Sequence, residues 1–79
     1  MKKNLLGVGF DNVVLTSRIV SIIQAQTKPI KRLIDAARRT NKLIDATSGR
    51  KTRSVIVMDS DHLVLSAIET QTLSERIES

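Results

Sequence analysis

The chain has 79 residues, no cysteine and one histidine, which leaves room for one domain over residues 1–79 and argues against disulfide staples, thiolate metal sites and histidine-rich metal cages. Hydrophobic residues make up 41% but aromatics only 1%, so the core must be Val, Ile, Leu and Ala with Phe10 as its sole ring, and a platform of rings for stacking single-stranded bases is lacking. The formal net charge of +5 points instead to an anionic partner bound through phosphates or carboxylates.

In chain order, residues 4–10 (NLLGVGF) read as a first strand loosened by Gly7 and Gly9, since glycine inside a strand marks a bulge or a close backbone approach. Asp11-Asn12 reads as a turn. Val13–Thr16 and Arg18–Ile23 are rich in β-branched residues and read as extended. Arg18 sits in apolar company, where it is either a structural salt bridge with its stem along the sheet or a phosphate contact beside the central turn.

Gln24–Thr27 is a polar connector, and Thr27 or Lys28 can cap a helix from Pro29 to about Asn41. Ile30, Leu33, Ile34 and Ala37 follow helical spacing and form its expected buried face. Lys31, Arg32, Asp35, Arg38 and Arg39 lie opposite; a solvated face carrying an Asp35–arginine pair is a complete explanation for them and is preferred to DNA contact. Asn41 is the expected stop.

Leu43–Arg53 (LIDATSGRKTR) reads as strand, tight turn at Ser48-Gly49, strand: a hairpin whose tip and outgoing strand carry Arg50, Lys51 and Arg53. No acid lies between Asp45 and Asp59. This basic edge is either a phosphate-binding site or a solvated turn. Ser54–Met58 reads as a central apolar strand, Asp59–His62 as a four-residue turn, and Leu63–Ala67 as the returning partner. Asp59, Ser60, Asp61 and His62 are explained by turn chemistry; adjacent in sequence, they cannot converge as a catalytic triad and supply too few ligands for a metal. Thr70 opens a capping pattern ahead of a short helix over residues 71–78, with Leu73 and Ile77 on one side.

The expected fold is therefore α/β in the α+β sense: a small, mostly antiparallel sheet with one amphipathic helix and a short C-terminal helix. Charge is segregated along it, since residues 28–53 carry nine basic side chains against Asp35 and Asp45, and residues 59–79 carry five acids against Arg76. No nucleophile–base pair, phosphate loop or ligand cluster is legible, so neither an enzyme nor a cofactor is expected. Met-Lys-Lys is not followed by a secretory core, and no apolar run approaches the roughly 18 residues of a membrane span; the expectation is a cytoplasmic protein without a membrane partner. A small core without staples favours association into a homo-oligomer.

Taken together, Gly9-Phe10 with Asn12, Arg18-Ile19, PIKR at Pro29–Arg32, LIDAT at Leu43–Thr47, GRKTR at Gly49–Arg53, and DSDH with LS at Asp59–His62 and Leu65-Ser66 resemble the RemA-type family of small bacterial regulators of biofilm-matrix genes. The order and spacing of these pieces span nearly the whole chain. The resemblance implies a subunit related to LytTR-type DNA-binding domains, assembled into a closed ring that holds duplex DNA in the nucleoid and activates transcription. It implies DNA contacts at Arg18, Arg50 and Lys51, to which the basic edge adds Arg53. Asp11 and Asn41 stand where the family commonly has glycine, Ser48 where it has tyrosine, and Lys51 where it has arginine, which keeps the charge and loses the planar fork. The competing readings are an oligomeric scaffold whose basic face meets an acidic protein, and an RNA-binding protein.

Overall fold

A computed structural model describes residues 4–78. Two strands, β1 (Leu5–Gly9) and β2 (Asn12–Leu15), form an antiparallel hairpin. The turn falls on Phe10 and Asp11, one residue earlier than expected. Both residues are left-handed, with φ of 54° and 66°, the conformation that lets a two-residue hairpin follow the twist of its strands. Gly9 has φ 110° at a register shift in the ladder, so it supplies the bulge that the sequence suggested. A single 3-10 turn (Thr16–Arg18) leads into β3 (Ile19–Gln24).

The helix α1 spans Lys28–Arg39 with Pro29 in its first turn and Thr27 as N-cap. Its end is a Schellman motif: the Lys42 amide donates to Ala37 O at 2.8 Å, the Asn41 amide to Arg38 O at 3.4 Å, and Asn41 has φ 59°. Asn41 is thus the expected stop, just past the helix. Ile30 and Ala37 are buried and Ile34 half-buried, but Leu33 is 48% exposed. Leu33 was assigned to the buried face by spacing; the sheet beneath is too narrow to cover the full apolar stripe.

The remaining elements are β4 (Leu43–Asp45), β5 (Ser54–Met58), β6 (Leu63–Ser66) and α2 (Thr70–Glu78). The main sheet has the order β3-β5-β6-β4. β5 is central, antiparallel to both β3 and β6, and joined to β6 by the turn at Asp59–His62. β4 is parallel to β6 and does not pair with β5. This corrects the expected hairpin over Leu43–Arg53: β6 lies between its two strands. All four residues of β6 are buried, so both of its edges need backbone partners, and the returning strand displaces the local pairing.

Alternation along β5 and β6 makes two cores. Val55, Leu63 and Leu65 face α1 with Ala25, Ile30 and Ala37. Ile56 and Val64 face the opposite way, towards Leu6 and Val8 of the β1–β2 hairpin, Ala46, and Leu73 of α2. The sheet is therefore the middle of three layers. Polar stitches fasten the hairpin layer: Ser66 Oγ donates to Val8 O at 2.8 Å and accepts from the Ile68 amide at 3.1 Å, and Arg76 Nη1 donates to Gly7 O at 2.8 Å. On β3, Val20 is an extra residue between Ile19, opposite Met58, and Ser21, opposite Val57; this bulge leaves Val20 66% exposed.

Ser66 is fully buried, and Ser66→Ala strips the hydroxyl that serves two backbone groups. Urea unfolding is expected to show a loss of about 1–3 kcal/mol. An unchanged midpoint would mean that packing alone docks the hairpin.

Candidate functional site

The basic segment Arg50–Arg53 belongs to a crossover loop that passes over the end of β6. The loop is pinned to that strand on both sides: the Ala46 amide donates to Leu65 O at 2.9 Å, and the Arg53 amide to Ser66 O at 2.8 Å. Between these anchors, Thr47 is buried, and Ser48 and Gly49 are left-handed at φ 53° and 81°. The Arg50 amide closes the turn on Thr47 O at 3.0 Å. The turn thus falls on the Ser48-Gly49 dipeptide expected from sequence, although the strands it connects are not neighbours.

The entry to this turn is set by Asp45. Its Oδ1 accepts from the Thr47 hydroxyl at 2.6 Å and from the Thr47 amide at 2.9 Å. The hydroxyl first, then the amide, hold the Asp45 carboxyl below the ordinary aspartate value; a smaller desolvation effect opposes them. A buried threonine and a charged acceptor thereby make the base of the loop rigid, and Arg50 and Lys51 project from it into solvent.

The four predicted contact residues have different surroundings. Arg50 and Lys51 are exposed and have no carboxylate partner among the described residues. The Arg50 guanidinium lies over the Phe10 ring, 5.9 Å from its centroid. Arg53 is half-buried and pairs with Glu69 at 3.2 Å. These three basic residues line one open cleft of about 500 Å³ with Gly9, Phe10 and Ile68. Arg18 is elsewhere. Its Nε binds both oxygens of Asp59 at 3.0 and 2.8 Å, and the Asp59 amide donates to Arg18 O at 2.9 Å. Asp59 follows β5 and Arg53 precedes it, so Arg18 stands at the far end of the sheet, roughly 20 Å away along the strand. The expected place for Arg18 beside the basic turn is corrected: within one subunit it is salt-bridged at the opposite end.

Around Arg18 the turn residues have structural duties. Ser60 Oγ and His62 Nδ1 are 2.7 Å apart, Lys42 Nζ donates to Ser60 O at 3.3 Å, and Asp61 is left-handed at φ 71°. Among the described residues no group of three or more His, Asp and Glu side chains could hold a metal ion. On α1, Arg38 pairs with Asp35 at 3.1 Å on the exposed face. Phe10 is the participant that sequence reasoning passed over as a core ring; its position directly before an Asp-Asn turn was the available signal.

With this geometry in view, comparison with known proteins gives a consistent result. The family model for RemA-like proteins, described as extracellular matrix regulatory protein A-like, matches residues 5–77. A protein of Oceanobacillus iheyensis whose name assigns it a regulatory role is 52% identical over 77 residues, covering 98% of this chain and 90% of the relative. A similarly named protein of Halalkalibacterium halodurans is 49% identical over 79 residues, covering 100% and 91%, and one of Syntrophobacter fumaroxidans is 47% identical over 77 residues, covering 98% and 82%. No helix among the described residues is long and apolar enough to cross a membrane.

The Asp45 carboxylate supplies a pH test of the loop base. Because its folded pKa is lowered, its contribution to stability is fully present above the unfolded value of 3.8 and is lost as pH falls through the folded value. Asp45→Asn keeps an acceptor for Thr47 and removes the charge. Urea midpoints are expected to place the wild type above the variant at neutral pH, with the gap closing as pH falls below 3.8 and through the lower folded value. A gap that is constant with pH would remove the charge from the account.

Proposed function

The chain belongs to the RemA-like family of extracellular matrix regulatory proteins, and on that footing we propose that it is a DNA-binding transcriptional regulator, an activator of extracellular-matrix genes, that assembles into a ring and holds duplex DNA through the phosphate backbone. It works by binding, not catalysis. The observation that carries this reading is the pair Arg50 and Lys51: two exposed cations on a rigid turn, with no carboxylate to neutralise them among the described residues. Cations left uncompensated on a stiff support are what a polyanion needs, because they release its counterions without first breaking an internal pair. Arg53, shared with Glu69, adds a contact at the same edge.

Arg18 enters through the assembly. Since it lies at the other end of the sheet from Arg50, one subunit cannot bring both to the same phosphates. A ring joins subunits head to tail, which would set the Arg18 end of one beside the basic turn of the next. The exposed side chains of Leu15, Val20 and Ile44 near that end give such a junction apolar material. Each subunit then adds a few phosphate contacts, and many subunits on one duplex replace affinity by avidity.

Two measurements test this. In a duplex titration at several salt concentrations, Arg50→Ala and Lys51→Ala are each expected to weaken binding about equally on different sequences and to lower the slope of log affinity against log salt by about one per engaged subunit. Arg38→Ala, whose guanidinium is held by Asp35, is expected to change binding little. Failure of the wild type to bind duplex at low salt overturns the reading. Light scattering is expected to show an assembly of many subunits; a mass of 8.8 kDa would overturn the ring.

A further inference from the structure

Phe10 is the only Phe, Tyr or Trp of the chain, yet the residue is 51% exposed. A core made only of aliphatic side chains could house a ring at a gain of apolar burial. Its backbone is also in an uncommon state for its type. Phe10 and Asp11 both have positive φ, and the residues suited to that turn are Asn, Asp and Gly. A bulky residue held there stores strain, which persists where the surroundings over-determine it. They do so here: Asn12 Nδ2 donates to Gly9 O at 3.0 Å and to Phe10 O at 3.3 Å, and the strand beneath is stitched to Ser66 through Val8 O. The chain therefore presents a ring to solvent on a stiff turn.

Beside the ring stand the cations. Arg50 lies over its face at 5.9 Å, and Lys51 and Arg53 line the same cleft. An exposed apolar blade sharing a cleft with guanidinium and ammonium groups is the combination that enters the minor groove of a duplex: the cations follow the negative potential and hold nearby phosphates, and the blade parts a base step and bends the helix axis. Resting on the duplex-DNA reading above, we infer that Phe10 is a wedge that inserts at a base step in the minor groove while Arg50 and Lys51 clamp the backbone on either side. The contact adds affinity and curvature without reading base identity, and it concentrates binding at steps that unstack readily, the pyrimidine–purine steps.

Phe10→Asn tests the wedge, because asparagine suits the left-handed turn and keeps the fold from being the cause of any loss. The variant is compared with the wild type and with Phe10→Leu for affinity at several salt concentrations, for duplex bending by energy transfer between end labels, and for assembly mass. Phe10→Asn is expected to bind roughly tenfold more weakly, with the salt slope unchanged because no charge is lost, and to lose most of the bend, while Phe10→Leu retains it. Wild-type affinity and bend in Phe10→Asn would overturn the wedge. A weaker complex with a smaller salt slope would overturn it too, since the ring would then act only by positioning Arg50. Loss of the assembly in Phe10→Asn would assign the ring to a subunit contact and likewise overturn it. Absence of duplex binding by the wild type is a separate failure, that of the DNA reading itself.

Discussion

The structure depends on the burial of β6. Its four residues, Leu63–Ser66, are all buried, so every peptide group along it must find a partner inside the protein. Strand β5 satisfies one edge and β4 the other. The chain between β4 and β5 then has no choice but to cross over the end of β6, and its two backbone bonds to Leu65 O and Ser66 O fasten it there. What would be a free hairpin tip becomes a loop tied at both feet, and the basic residues inherit that rigidity.

The same topology sorts charge. Because β5 lies between Arg53 and Asp59, the basic turn and the acidic Asp59–His62 turn are held at opposite ends of one sheet. Cations near the acidic end are engaged: Arg18 with Asp59, Lys42 with the Ser60 carbonyl. Those at the other end are divided between Arg53, which shares Glu69, and Arg50 and Lys51, which have no acid partner among the described residues. Charge segregation visible along the sequence thus becomes segregation in space, since a short sheet keeps the two turns apart.

Much of the architecture was legible. The α+β class followed from short β-branched runs around one periodic helix, and Pro29 and Asn41 marked that helix to within two residues. The Ser48-Gly49 and Asp59–His62 turns followed from local chemistry, and the family from the ordered motifs. The β5–β6 pairing was legible too, but the partner of β4 was not, because Leu43–Asp45 has the same pattern whether its partner is ten residues away or twenty; only the burial of β6 decides it. Leu33 was misplaced because periodicity reports a stripe and not the width of what covers it. The surroundings of Arg18 were open for a related reason: its carboxylate partner is 41 residues away. Phe10 was missed because hydrophobicity says core, whereas its left-handed backbone is a property of the turn. The glycine positions of the family resemblance now have a cause, since Asp11 and Asn41 both have positive φ.

The bulge at Val20 has a consequence for how copies of the chain meet. β3 ends the sheet, with no strand beyond it among the described residues, and a straight edge of this kind invites endless strand addition and aggregation. An extra residue breaks the alternation of donors and acceptors along that rim and twists it away from a flat template. Runaway sheet extension is thereby blunted at β3, and contacts that use this side of the molecule are left to side chains, which can be made to close.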